Sequence, residues 1–271
     1  MVAGRAEAHV AHQQQGRLLL PGLLAAGVGS LVFVGIGSLT GLSSSAYAIS
    51  PLSLPTYPHP SLGDFLWTIL LSVVAAAVTF AIMELGRRTH RVVEQRIMVL
   101  TILATLVIAA LAIAFSQLTG ESADAVLFSG QEAMNPIVSQ AGTISLSTIA
   151  LLVLCKGLAW GVSLGSARGG PTFPAIFLGI AGGLLASHLP GFSETPAVGV
   201  LVGATVVSVL QLPLASIIIA LLVTQAGAGV APLIIVGVVV AYIATKVLAA
   251  RRLPAGTRSE PDRTDRQPNP T

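Results

Sequence analysis

The amino-acid sequence predicts an integral membrane protein built entirely from α-helices. Of its 271 residues, 54% are hydrophobic and only 9% are charged, and the mean hydropathy is +0.85. A water-soluble domain could not bury so much apolar surface. The 28 glycines and 16 prolines fit a membrane bundle, where small residues let helices approach closely and neighbours compensate for broken backbone hydrogen bonds. We therefore expect tilted and discontinuous helices.

Composition divides the chain into three regions. Residues 1–16 form a polar N-terminal leader that lacks the pattern of a signal peptide. Residues 17–253 form the predicted membrane domain of helices. Residues 254–271 are rich in Pro, Arg, Asp and Thr and cannot bury a core, so we expect a disordered cytoplasmic tail.

Four apolar runs are long enough to cross about 30 Å of hydrocarbon at about 1.5 Å per residue. They are residues 18–42, 62–94, 97–118 and 144–165. The proline-rich stretch 43–60 between the first two is predicted to be an outside loop. The second run exceeds the length that a bilayer requires, which predicts a tilted helix that protrudes from the membrane.

The remaining runs are shorter and are separated by turns that contain Pro or Gly. They are residues 121–140, 173–189, 196–210, 213–224 and 232–250. The first of these is the most polar, and we expect a partial helix packed on protein rather than lipid. Short, interrupted apolar segments are typical of discontinuous helices around a binding site near the membrane midplane.

The basic residues form two clusters that flank apolar runs. One comprises Arg87, Arg88, Arg91 and Arg96, and the other comprises Lys246, Arg251, Arg252, Arg258, Arg263 and Arg266. The positive-inside rule places both clusters, and with them the C-terminus, in the cytoplasm. The clusters lack interleaved aromatic residues, so no nucleic-acid partner is expected.

No metal, cofactor or catalytic site is expected. The single cysteine, Cys155, lies in an apolar run and can form neither an internal disulfide nor a thiolate metal site. His9 and His12 lie in the polar leader, where a solvated chain end is the simpler explanation. The sequence contains no paired acidic residues, no His-Glu-x-x-His pattern and no Gly-x-Ser-x-Gly turn, which argues against an intramembrane enzyme.

The segment 165–179 carries the predicted chemistry, because a glycine-rich turn leads through two prolines into an apolar helix. A helix that starts inside the membrane directs unpaired N–H groups and its positive dipole end at the pocket, which favours an anion. The predicted anion-binding residues are Gly169, Gly170, Thr172, Phe173 and Pro174. Tight helix packing is the alternative explanation for the glycines.

Two basic residues are candidates for electrostatic attraction along the pore. Lys156 lies within an apolar run, where an ionisable group faces a cavity or extends to the nearer interface. Arg168 precedes the glycines and either supports the anion site or lies solvated in the mouth of the protein.

The segment resembles the Gly-x-Phe-x-Pro motif of the CLC family of chloride channels and proton-coupled chloride transporters. Two further matches are the small-Gly pattern Ser129-Gly130-Gln131-Glu132-Ala133 and the sequence Leu212-Pro213-Leu214. Order and spacing agree over about residues 18–250, and the long helix that ends at Arg87-Arg88 looks like the family's second half. The resemblance implies a CLC-like half, one inverted repeat of the two.

Two departures qualify this resemblance. Thr172 occupies the expected Phe position, Phe173 follows it, and Pro171 lacks an N–H group, so the Thr172 amide is the best remaining anion ligand. The family's Gly-Ser-Gly-Ile-Pro and Gly-Lys-Glu-Gly-Pro segments do not occur, and no tyrosine follows the last apolar run.

The resemblance implies an anion (chloride) channel or transporter module in the plasma membrane, with an incomplete or half-length chain. Its partners would be chloride or another small anion, the lipid bilayer, and either a second copy in a homodimer or a missing first-half partner. A carrier for another small substrate, a non-transporting membrane scaffold and the partner half of a split transporter remain alternatives. We expect little chloride flux from the chain alone.

Overall fold

A computed structural model describes residues 2–41, 51–57, 59–167 and 169–251, with backbone only for residues 2–20. Arg168 and the tail 254–271 lie outside the described residues. The chain divides into two compact units, Met1–Ser50 and Pro51–Thr271. The first unit contains helix α1 (Val2–Thr40), which continues from the polar leader into the apolar run. Its part Pro21–Thr40 has a mean hydropathy of 2.0 and is long enough to cross a membrane.

The described part of the second unit is also helical, as the sequence predicted. Its elements are α2 (Leu62–Val93), α3 (Ile97–Thr119), a 3-10 turn (Ala123–Ala125), α4 (Met134–Ser139), α5 (Leu146–Ser166), α6 (Thr172–Ala186), α7 (Glu194–Leu210), α8 (Pro213–Thr224) and α9 (Gly227–Ala250). Helices α2, α3, α5 and α9 are long and apolar enough to cross a membrane, and α6, α7 and α8 are shorter apolar helices. The predicted all-α membrane fold with short helices is confirmed.

Helix α2 begins at a capping box. The Asp64 amide donates to Ser61 Oγ at 3.3 Å, and the Ser61 amide donates to Asp64 Oδ2 at 2.7 Å. The Tyr57 hydroxyl donates to the same Asp64 oxygen at 2.8 Å. Since α2 has 32 residues, its length of about 48 Å exceeds the hydrocarbon thickness of about 30 Å. This length agrees with the long helix that the sequence predicted.

Close glycine contacts fix the directions of the helices. A Cβ on Gly157 of α5 would meet Ile82 of α2, and one on Gly161 would meet Leu85. Because the residue numbers rise together along the two helices, α2 and α5 run parallel. In the same way Gly199 lies against Val230 and Ile234, and Gly203 lies against Val238, so α7 and α9 also run parallel. A shared cavity brings Ala249 near the end of α9 to Glu84 and Arg88 of α2.

These contacts define two sides of the helical bundle. We call the side at which α2 and α9 end the arginine side, because Arg87, Arg88 and Arg91 lie there. Helix α6 runs back from it, antiparallel to α7, with Gly179 against Val202 and Gly183 against Val198.

Helix α7 occupies the core of the second unit. Every residue from 195 to 208 is buried, and α7 contacts α2, α6, α8 and α9. It can be this apolar throughout because helices rather than lipid surround it.

Two segments of the second unit differ from their predicted bounds by more than three residues. Helix α9 was predicted to start at Pro232 but starts at Gly227, and the proline lies inside the helix, where a membrane bundle tolerates the lost hydrogen bond. Most of residues 121–140 is turn, and only Met134–Ser139 forms an α-helix. The left-handed backbone at Phe128 (φ 53°) and Gly130 (φ 80°) interrupts a helix there.

Candidate functional site

Helix α6 is an apolar helix that is too short to cross a membrane. The turn that follows it is held opposite the arginine side, where Trp67 Nε1 donates to the Pro190 carbonyl at 3.2 Å and Thr195 Oγ1 donates to the Pro55 carbonyl at 2.6 Å. With 15 residues, α6 extends about 22 Å from that side, less than the hydrocarbon thickness of about 30 Å. A helix of this length cannot cross the bilayer, so we expect its first residue, Thr172, to lie at membrane depth.

The start of α6 has no side-chain cap. Pro171 is the N-cap residue, and its side chain makes no capping hydrogen bond. The first amides of an α-helix have no intrahelical acceptor, and they carry the positive end of the helix dipole. This end of α6 is therefore suited to an anion, and the same physical argument was the basis of the sequence prediction.

Helix α5 places Lys156 in the middle of a span. Its side chain is only 1% exposed, so it does not extend to an interface. The ammonium donates to the carbonyls of Leu127 at 2.7 Å and Phe128 at 3.1 Å. Nζ also lies 5.0 Å from the centre of the Phe177 ring. No carboxylate among the described residues pairs with this lysine, so carbonyl dipoles and a ring face stabilise its charge.

The turn that carries these two carbonyls depends on Gly130. With φ at +80°, Gly130 has a backbone conformation that favours glycine, and a Cβ there would lie 2.8 Å from Cγ of Phe177. The turn thus packs directly on α6. Sequence reasoning identified the glycine pattern here but missed the lysine ligands, because backbone oxygens leave no signature in a side-chain pattern.

A cavity of about 250 Å³ joins the lysine to the start of α6. Four of the predicted site residues line it: Lys156, Gly169, Gly170 and Pro174. Thr172 is half-buried and Phe173 is 37% exposed, and neither is among the lining residues. Arg168 is outside the described residues. The structure therefore brings the lysine and both glycines together and leaves two of the predicted ligands beside the cavity.

Trp160 is a lining residue that sequence reasoning missed. It lies one helical turn after Lys156 and lines the same cavity. The side chain is 6% exposed, and its buried Nε1 has no acceptor among the described residues. Its spacing of four residues from an intramembrane lysine was the available signal, since such residues share a helix face.

A second cavity of about 260 Å³ has the opposite charge. Its lining includes Glu121, Asp124 and Glu132. Phe177 also lines it while contacting the Lys156 ammonium with its ring. Acidic side chains repel an anion, so the cavity beside Lys156 is the better anion site of the two.

Comparison with known proteins gives one result. The family model described as Voltage gated chloride channel matches residues 6–246. The match covers α2 to α8, most of α9 and all of the predicted site residues, and the narrower prediction that the chain corresponds to the family's second half stays a prediction. No curated protein and no solved structure matches the chain.

Proposed function

The chain belongs to the voltage-gated chloride channel family, and we propose that the cavity between Lys156 and the start of α6 forms its anion site. As a member of that family, the chain is a chloride channel or transporter module. The site and the way in which the chain forms a complete pathway are our proposals.

The observation that carries the proposal is that Lys156 and the glycines before α6 line one cavity. A chloride ion at membrane depth needs compensating positive potential, because few water molecules are available to solvate it. The lysine supplies a full charge, and the helix start supplies about half a charge. An ammonium has three donors, of which two bond the Leu127 and Phe128 carbonyls. We expect the third to bond an anion or a water molecule in the cavity.

Because the start of α6 is exposed, we expect a further protein segment to cover it and complete the site. Gly169 and Gly170 are exposed, and Phe173 is 37% exposed. Amides that bind an anion in a membrane need a covered environment. We infer that this chain supplies one repeat and that a partner covers the α6 start, either a first half or a second copy of this chain.

The basic clusters support a cytoplasmic arginine side and a C-terminus in the cytoplasm, in the plasma membrane. Helices α2 and α9 both end on this side, which agrees with the positive-inside rule. Cysteines in place of Gln95 and Glu121, which flank the span α3, test the orientation after Cys155 has been replaced by alanine. Only the cysteine at position 121 should react with an impermeant thiol reagent from outside, and the reverse pattern would invert the topology.

Chloride flux tests the half-pathway proposal. The purified chain, reconstituted alone into chloride-loaded liposomes with valinomycin and a potassium gradient, should release chloride at a rate close to that of empty liposomes. The reason is that the start of α6 has no opposing wall. Rapid, anion-selective release by the chain alone would contradict the need for a first half and would favour a pathway formed by two copies.

A further inference from the structure

The spacing of two residues along α2 indicates the level of its arginine side relative to the membrane. Trp67, near the other end of the helix, bonds the turn after α6, and tryptophan is typical of the membrane interface. Arg87 follows twenty residues later, which is about 30 Å along a helix and equals the hydrocarbon thickness. If Trp67 marks one interface, Arg87 marks the other.

A cleft of about 540 Å³ lies at this level between α2 and α9. Its lining consists of Phe80, Glu84, Arg87, Arg88, Arg91 and Ala249. Phe80 and Ala249 give the cleft apolar surface, and the other four residues give it charge. Three guanidinium groups face one carboxylate, so the cleft carries a net charge of +2.

The carboxylate in the cleft positions two of the arginines. Glu84 accepts from Arg87 Nε at 3.0 Å and from Arg88 Nε at 3.3 Å. The Arg87 guanidinium also lies 5.6 Å from the centre of the Phe80 ring. Each guanidinium has five donors, so a bond through Nε does not exhaust either group. The arginine side chains are 52% and 71% exposed, whereas that of Glu84 is 16% exposed. The cleft therefore presents donors outward and holds its acceptor inward.

We propose that this cleft binds the headgroup of an anionic phospholipid. The phosphate lies against Arg88 and Arg91, where planar guanidinium groups donate in pairs. The glycerol and the first acyl carbons lie against Phe80 and Ala249. Basic residues near a helix end are sufficient for the positive-inside effect. This cleft has, in addition, a defined volume, an apolar surface and an internal carboxylate.

Binding measurements on the purified full chain test the proposal. Calorimetric titrations with short-chain phosphatidylglycerol, short-chain phosphatidylcholine and inorganic phosphate separate a lipid site from a phosphate site. We expect saturable binding of phosphatidylglycerol, at least tenfold tighter than that of either other probe. Equal binding of phosphatidylcholine would remove the role of charge. Equal binding of inorganic phosphate would remove the role of the apolar surface. Either result overturns the assignment without the need for a variant.

A pair of variants tests the location of the site. Arg91→Gln should weaken phosphatidylglycerol binding about fivefold, the amount typical of one basic residue near a membrane surface. Arg96→Gln removes the same charge from a residue that does not line the cleft and should bind the lipid as the wild type does. An equal loss in both variants would assign the binding to surface charge in general and would exclude this cleft.

Discussion

Substitution of Gly183 by alanine should weaken the packing of α6 on α7. A Cβ at position 183 would lie 2.8 Å from the backbone nitrogen of Val198 and 2.9 Å from its Cγ2. The adjacent Gly182 is the matched control, because the nearest atom to its Cβ would be Leu201 Cδ1 at 3.8 Å, an ordinary contact distance. The two positions therefore receive the same methyl group in the same helix, one against backbone and one at an ordinary contact distance from a side chain.

The expected magnitude follows from this difference in space. Replacement of a helical glycine by alanine gains up to about 1 kcal/mol in helix propensity, and this gain is shared by both variants. Only Gly183→Ala forces the two backbones apart, and overpacking of this kind costs about 1 to 3 kcal/mol. The variants should differ in free energy of unfolding by about that packing cost, with Gly182→Ala the more stable.

Reversible unfolding in mixed detergent micelles, followed by tryptophan fluorescence or circular dichroism, measures both free energies. Denaturant slopes should be equal, so that the midpoint alone reports stability. Equal stability of the two alanine variants would show that α6 and α7 do not approach as closely as described.

Further substitutions test the turn at Gly130, the start of α2 and the start of α6. Gly130→Ala should destabilise the fold by about 1 to 3 kcal/mol, because its positive φ and its contact with Phe177 both oppose a Cβ; circular dichroism melting measures this. The hydrogen bond to Asp64 raises the pKa of Tyr57 above its ordinary value of 10.0. This bond therefore stabilises the folded protein below about pH 10, and the stabilisation is lost as the pH rises further. Tyr57→Phe should remove this part of the pH dependence of the free energy of unfolding. The same pH dependence in the variant and the wild type would contradict a stabilising bond between Tyr57 and Asp64. Thr172→Pro, which deletes an N–H at the start of α6, should weaken chloride binding about tenfold or more, whereas Thr172→Ala, which keeps the amide, should bind as the wild type does.

Helix bounds that depend on local chemistry could be predicted from the sequence. Helix α8 runs from Pro213 to Thr224 as expected, because proline suits the first turn and the left-handed Gln225 (φ 44°) ends the helix. Helix α2 also agrees with its predicted run, since a capping box precedes it and basic residues follow its apolar part. In both helices, the residues near each terminus determine where the helix begins and where it ends.

The environment of Lys156 could not be predicted in this way. The sequence left open a lysine that faces a cavity and one that extends to the interface. The choice depends on the turn at Phe128, whose positive φ (53°) directs two carbonyls at the ammonium. No side-chain pattern encodes that backbone geometry.

The ligand set predicted at α6 stays a prediction. The Thr172 amide was chosen because Pro171 lacks an N–H group, whereas the residues that line a cavity depend on the helix faces, and successive residues of a helix point about 100° apart. The described cavity is lined by the glycines and Pro174, together with Trp160 of α5. Tertiary packing, which the sequence pattern does not specify, determined which face of the turn lines the cavity.

The most direct test of the anion site compares the two lysines of the chain. Lys156→Gln keeps a donor for the carbonyls and removes the charge, whereas Lys246→Gln removes the same charge from α9, where the ammonium lies over the Tyr242 ring. Chloride titration of the purified full chain, or of its assembly with a first half, measures the affinity of each. A hydrogen bond to a charged group contributes about 1.5 to 3 kcal/mol, so Lys156→Gln should bind chloride about tenfold to a hundredfold more weakly. Lys246→Gln should bind it as the wild type does, and equal affinities of all three proteins would contradict an anion site at Lys156.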